Sequence, residues 1–235
     1  MLFLTTLLIS IIITVVLMPY AKSLACRLQA IDVPSRRKVH GRLMPRCGGM
    51  AMAVGTVTPI ILWAPMIPFT KGLLLGTLII VVFGMADDVK NLKPQTKLAG
   101  QAAAALVAIL VGGVKIHDLG NFLPSGMMLP TWLAIPLTVF VIVGVTNATN
   151  LSDGLDGLAG GIALLIFTGI GYFSVVQKQW VLAMMCIAVG GSVLGFLRYN
   201  TYPAQLFMGD AGSQLLGFMA ILLAIQLTQS SPQLS

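Results

Sequence analysis

Long apolar stretches alternate with short polar connections along the whole chain. Each stretch approaches the roughly 20 residues that a helix needs to cross a bilayer core. The pattern predicts membrane-spanning helices near residues 2–21, 48–64, 72–86, 98–114, 127–147, 157–176, 180–197 and 211–228. We therefore expect an all-α fold, a polytopic transmembrane helical bundle of about eight spans, which forms a single transmembrane domain over residues 1–235.

Composition supports this assignment. Hydrophobic residues make up 57% of the chain and charged residues 9%, with a mean hydropathy of +0.95, whereas soluble domains carry about 25% charged residues. The first stretch lacks a basic n-region and is longer than a typical signal-peptide core, so we interpret it as a retained span. The net charge of +7 does not indicate nucleic-acid binding, because the basic residues lie mostly in loops between apolar spans.

The connections on the two sides of the predicted bundle differ in charge. Those after spans 1, 3, 5 and 7 contain 11 Lys and Arg residues, and the others contain 3. The positive-inside rule makes the first set cytoplasmic and places the N-terminus outside. Five of the seven acidic residues, all of which are Asp, fall on the same side: Asp87, Asp88, Asp153, Asp156 and Asp210. Carboxylates beside apolar helix ends are costly unless a cation compensates them, so we expect a functional site there.

Three segments on this face carry candidate chemistry. In residues 147–161, NATNLSDGLDGLAGG, a helix end would present Asn147, Asn150 and Asp153 on one face, and such oxygen ligands suit Mg²⁺. The adjacent carboxylates of residues 87–88 could hold Mg²⁺, or one could act as a base. Asp210 precedes an apolar helix whose free backbone N–H groups could meet a phosphate. The structural alternatives are a polar helix cap before a close-packed glycine-rich helix for the first segment and an N-cap for Asp210.

The first cytoplasmic loop, residues 32–49, is a basic arm on the same face. Arg and Lys side chains suit phosphate recognition, but topology and attraction to lipid headgroups alone would also produce such a cluster. A histidine in this loop, His40, could be a general acid or a phosphate contact, although a lone loop histidine is usually neither.

Taken in order, these motifs resemble those of the polyprenyl-phosphate N-acetylhexosamine-1-phosphate transferases of glycosyltransferase family 4. The resemblance runs from about residue 32 to 217. The pattern D-x-P-S-x-R-K-x-H, followed by P-R-C-G-G, resembles the branch that uses UDP-N-acetylglucosamine or similar sugars to start envelope polysaccharides. It implies transfer of a sugar 1-phosphate from a UDP-N-acetylhexosamine to undecaprenyl phosphate, with release of UMP.

The resemblance also implies roles for individual residues. Mg²⁺ is the expected cofactor, with Mn²⁺ as its substitute. The implied metal ligands are Asn150 and Asp210, and the implied catalytic carboxylates are Asp87, Asp88, Asp153 and Asp156. The residues expected to bind substrate are Arg36, Lys38, His40, Arg46, Lys97 and Asn147. The expected location is a bacterial inner (plasma) membrane, multi-pass, with the active face cytoplasmic and a homodimer as a compatible assembly.

Two alternatives stay open, and the first comes from a departure from the family pattern. Family members generally continue through about three more spans and a loop with a His-rich motif, whereas this sequence ends at Ser235. A truncated, non-catalytic relative is one alternative, and Gly191 and Gly195 supply a G-x-x-x-G helix-packing motif for its assembly with other membrane proteins. A transporter or channel is the other, and it predicts acids spread through the membrane depth.

Overall fold

A computed structural model of the chain describes residues 1–32, 43–120 and 128–230. This part of the chain forms eight helices and one short antiparallel pair of strands. In chain order the elements are α1 (Leu2–Arg27), β1 (Ile31–Asp32), β2 (Met44–Pro45), α2 (Gly48–Trp63), α3 (Pro68–Lys90), α4 (Pro94–Leu110), α5 (Thr131–Ser152), α6 (Leu158–Val176), α7 (Trp180–Asn200) and α8 (Gly209–Gln229). Each predicted span corresponds to one helix, which confirms the all-α bundle.

The helices differ in their ability to cross a membrane. Within the described residues, six are long and apolar enough to do so, namely α1, α3, α5, α6, α7 and α8. The other two, α2 with 16 residues and α4 with 17, are shorter. The chain is therefore a multi-pass membrane protein in which two shorter helices complete the bundle.

Helix α1 has the reverse of a soluble helix's polarity. It turns hydroxyl side chains into the bundle, namely Thr6, Ser10 and Thr14, each with no exposed surface. It leaves large apolar side chains uncovered, including Leu4, Leu8, Ile12 and Val16. This arrangement is expected of a helix whose outer face meets lipid, because small polar residues then allow close packing between helices.

The G-x-x-x-G motif of α7 packs against α1 within the same chain. A Cβ atom at Gly191 would lie 2.9 Å from the Cβ of Ser10, and one at Gly195 would lie 2.9 Å from the Cβ of Thr14. Any side chain at these positions would push the two helices apart. The motif therefore already has an intramolecular partner, and assembly with other proteins is not needed to explain it.

Helix α8 lies at the centre of the bundle and packs against α2, α3, α5, α6 and α7. Its first turn fits between α2 and α3 at backbone distance: a Cβ at Gly49 would lie 2.1 Å from the nitrogen of Gly212, and a Cβ at Gly84 would lie 2.4 Å from the Cα of Ala211. The α8 N-terminus therefore meets the start of α2 and the end of α3. We call this end of the bundle the site end.

We expect a Gly191→Ala substitution to destabilise the bundle by about 1–3 kcal/mol, because the added methyl group overpacks the α1–α7 contact. Gly190→Ala is the matched control, since a Cβ there meets no atom within 4 Å. Thermal unfolding of both variants in detergent measures the difference. Equal unfolding temperatures would contradict the close contact between α1 and α7.

Candidate active site

Three helix ends bring a charged cluster together at the site end. Asp87 lies in the last turn of α3, Lys97 in the first turn of α4 and Asp210 in the first turn of α8. The Lys97 ammonium contacts Oδ2 of Asp87 and lies 3.6 Å from Oδ1 of Asp210. The backbone N–H of Leu92 donates to Oδ1 of Asp87 at 2.6 Å. A single ammonium group thus serves two carboxylates, one of them only 1% exposed.

The predicted metal ligands meet at this cluster. Asn150, in the last turn of α5, donates from Nδ2 to Oδ1 of Asp210 at 2.5 Å. No three Asp, His or Cys side chains of the described segments come close enough to hold a metal by themselves. The side chains that meet here are two carboxylates and one amide, and Mg²⁺ takes carboxylate and amide oxygens as ligands. Their chemistry therefore fits a hard cation.

The neighbouring carboxylate, Asp88, is used differently. Its Oδ1 accepts the N–H of Asp210 at 2.8 Å, and its Oδ2 accepts the N–H of Ala211 at 3.2 Å. Gly209 has a φ of +73° and approaches so closely that a Cβ there would lie 2.6 Å from Oδ2 of Asp88. The expectation that these N–H groups are free for a phosphate is therefore wrong, because a side chain from α3 already caps them.

The two remaining predicted carboxylates lie in the α5–α6 connection. Asp153 directly follows α5 and is half-buried; burial, and then the charge of Asp210, raises the pKa of Asp153 to about 6. Asp156 is held by the connection before α8, because its Oδ2 accepts the N–H of Ala204 at 3.0 Å. Asn200 strengthens the same contact between loops by accepting the N–H of Gly157 and donating to the carbonyl of Leu206. Asp156 thus joins two loops at the site end.

The basic arm reaches the site end through its C-terminal part. The side chain of Arg46 pairs with Asp32, and its backbone pairs with Phe207 in the connection before α8. The positive charge of Arg46 acts on Asp88 and Asp210. Three other residues predicted to bind substrate lie in residues 33–42, outside the described residues: Arg36, Lys38 and His40.

A small apolar groove opens beside the cap of α8. Its lining comes mostly from α1 and from the adjoining ends of α2 and α3, and Arg46 and Asp88 supply its charged groups. Leu24 and Leu28, which line it, are 38% and 45% exposed. The groove therefore connects the outer apolar surface with the site end.

Asn147 does not reach the charged cluster. Its side-chain amide pairs with that of Gln101, which in turn contacts Gln214. The two glutamines are not predicted as site residues, although amide side chains within apolar helices are an available signal for them.

We expect Asp88→Ala to loosen the start of α8 and to cost about 1–2 kcal/mol of stability, because two backbone N–H groups lose their acceptor. Hydrogen exchange of a peptide covering residues 205–215 should accelerate. Asp118→Ala is the control, because Asp118 caps the N–H of Gly120 in another loop. Unchanged exchange in the Asp88 variant would rule out the cap.

The raised pKa of Asp153 predicts a pH-dependent stability. The folded-state pKa of about 6 exceeds the ordinary value of 3.8, so the ionised form is disfavoured by folding, and this carboxyl increasingly costs stability as pH rises from 4 to 6. Asp153→Asn should therefore raise the unfolding temperature at pH 7 in EDTA. The gain should shrink between pH 6 and pH 4. A variant less stable than the parent at pH 7 would show that the ionised carboxylate has a stabilising partner.

Comparison with known proteins identifies the family of the chain. The model of glycosyl transferase family 4 matches residues 70–228. The chain is 36% identical over 219 residues to the "Probable undecaprenyl-phosphate N-acetylglucosaminyl 1-phosphate transferase" of Bacillus subtilis, which covers 92% of this chain and 61% of that protein.

Relatives with two other names match as well. The phospho-N-acetylmuramoyl-pentapeptide-transferase of Wolbachia pipientis is 33% identical over 198 residues, covering 78% of this chain and 60% of the relative. The decaprenyl-phosphate N-acetylglucosaminephosphotransferase of Mycobacterium leprae is 35% identical over 229 residues, covering 89% and 56%. The chain thus spans 56–61% of the length of these relatives. The family match and these identities show that the chain belongs to glycosyl transferase family 4.

Proposed function

We propose that this chain transfers N-acetylglucosamine 1-phosphate from UDP-N-acetylglucosamine to undecaprenyl phosphate, with release of UMP, as the start of a lipid-linked envelope polysaccharide. The observation that carries the proposal is the meeting of Asp87, Lys97, Asn150 and Asp210 at one end of a membrane bundle. The names of the relatives support the reaction class. The resemblance of the basic arm to the UDP-N-acetylglucosamine branch supports the choice of sugar.

The reaction is a displacement at phosphorus. An oxygen of the lipid phosphate attacks the β-phosphorus of the UDP-sugar, and the bond from that phosphorus to the oxygen shared with the α-phosphate breaks, so that UMP leaves with this oxygen. Asp87 accepts the proton of a protonated lipid phosphate. Lys97 and Arg46 reduce the repulsion between the two anionic substrates. Catalysis then consists largely of positioning and charge neutralisation.

Asn150 and Asp210, with Asp87 beside them, would hold Mg²⁺, and Mn²⁺ could replace it. When bound, the ion would neutralise phosphate charge and stabilise the leaving UMP. Asp88 contributes by fixing the start of α8, and therefore the backbone from which Asp210 projects. The position of Asp153 beside Asp210 gives it a supporting electrostatic role.

The proposed location is a bacterial plasma membrane, with the site end cytoplasmic and the N-terminus outside, because 11 of the 14 basic residues belong to the predicted cytoplasmic connections. The apolar groove offers an apolar surface for part of a polyprenyl tail beside Asp88 and the start of α8. Acids in the described segments lie in or beside loops and helix ends, and this placement favours an enzyme over the transporter alternative. A homodimer stays a prediction.

The direct test is UMP release from UDP-N-acetylglucosamine by the purified chain in detergent. We expect release that requires both undecaprenyl phosphate and Mg²⁺. The Bacillus subtilis relative, assayed alongside, controls for substrate and detergent. Absence of release from a folded chain while the relative is active would overturn the proposed activity and favour a non-catalytic relative.

Asp210→Asn tests the metal role. Loss of this charge should raise the Mg²⁺ concentration for half-maximal activity by about tenfold or more, since even supporting residues of metal sites contribute about 10- to 100-fold. Asp118→Asn, which removes a carboxylate from another loop, should leave the titration unchanged. An unaltered Mg²⁺ titration in the Asp210 variant would exclude it as a ligand.

A further inference from the structure

Besides the charged cluster, the bundle contains a polar layer that lies one helical turn farther from the site end. It consists of three amide side chains, Gln101 from α4, Asn147 from α5 and Gln214 from α8. Nε2 of Gln101 donates to Oε1 of Gln214 at 3.2 Å and lies 3.4 Å from Oδ1 of Asn147. Nδ2 of Asn147 donates to Oε1 of Gln101 at 2.5 Å and to the carbonyl of Val143 at 3.0 Å. Gln101 is therefore the member that contacts both of the others.

The same three helices supply both layers. Gln101 follows Lys97 by four residues, Asn147 precedes Asn150 by three, and Gln214 follows Asp210 by four. Residues three or four apart lie on one face of a helix. In each helix the amide residue is farther from the site end than its charged or predicted metal-binding neighbour, by about 4.5–6 Å of helix rise. Each helix thus presents one residue to the amide layer and one to the site.

Burial makes the amide layer a geometric constraint. Gln101 and Gln214 are each 2% exposed. A buried amide that lost its protein partner would have no water to replace it, and the fold would be destabilised. Rotating or sliding α4, α5 or α8 would separate at least one of these pairs. The layer therefore fixes the rotation and the axial position of all three helices relative to one another.

We infer that Gln101, through Asn147 and Gln214, is a positioning residue that aligns Lys97, Asn150 and Asp210. Asn147, expected to bind substrate, instead directs its side-chain amide to Gln101 and acts from the layer beneath the site. This inference rests on the proposed function, because the alignment matters for the cation and the phosphates. It assigns the amide layer no contact with substrate.

The first experiment compares Gln101→Met with Thr56→Val. Methionine keeps the length of glutamine and loses its hydrogen bonds. Thr56 supplies the control because its hydroxyl donates to Ser192 at 2.8 Å between α2 and α7, within another buried polar contact. We measure thermal unfolding and the affinity for Mn²⁺ by electron paramagnetic resonance, without substrates. Both variants should unfold at lower temperature, and only Gln101→Met should weaken Mn²⁺ binding, by about tenfold.

The second experiment exchanges the amides. Gln101→Asn and Asn147→Gln, each alone, change the distance across the α4–α5 gap and should weaken Mn²⁺ binding. The double variant restores the combined side-chain length and should recover most of the affinity. A double variant no better than the worse single variant would overturn the positioning role, as would equal Mn²⁺ affinity in Gln101→Met and the parent chain.

The outcomes separate the two proposals. If the folded parent chain binds no Mn²⁺, the proposed metal site fails and the positioning role fails with it. If the parent chain binds Mn²⁺ and the Gln101 variants bind it equally well, only the inference about the amide layer fails. Coupling between Gln101 and Asn147 in a double-mutant cycle of thermal unfolding tests their pairing without any metal.

Discussion

The first turn of α8 is held in place by close backbone contact and by a carboxylate from another helix. Glycines in α2 and α3 let the three backbones meet at distances that any side chain would prevent, and Asp88 then accepts two of the N–H groups that the helix start leaves unpaired. Because a buried backbone N–H group without an acceptor is costly, the cap and the close packing support each other. The position of Asp210, and so of the whole charged cluster, depends on these contacts of the first turn of α8.

The two adjacent carboxylates of α3 have different partners. Successive residues on a helix point about 100° apart, so two neighbouring side chains cannot serve the same partner from the same direction. Asp87 faces Lys97, whereas Asp88 faces the backbone of α8. An acidic pair that resembles one bidentate unit in the sequence is therefore divided between a lysine contact and a contact with the backbone of α8.

Polar groups inside this bundle take over the orienting role that apolar packing has in soluble proteins. Lipid tails are as apolar as leucine, so association of helices depends on small residues at contacts and on hydrogen bonds between helices. Helix α1 follows this rule by burying its hydroxyl groups and exposing its leucines. The amide layer follows it too, and it lies where the helices that carry the site must keep their relative rotation. The same hydrogen bonds between helices thus stabilise the bundle and keep the helices that carry the site aligned.

Hydropathy, the charge of the loops and local spacing were enough to predict the membrane class, the eight helices, the family and the face on which the acids gather. The sequence predicted the pairing of Asn150 with Asp210 only through resemblance. The partner of each carboxylate follows only from the packed bundle: Asp88 caps α8 and Asp156 joins two loops. These roles depend on contacts between residues up to 123 positions apart. Neither periodicity nor local spacing encodes such contacts, because they arise only when the helices pack.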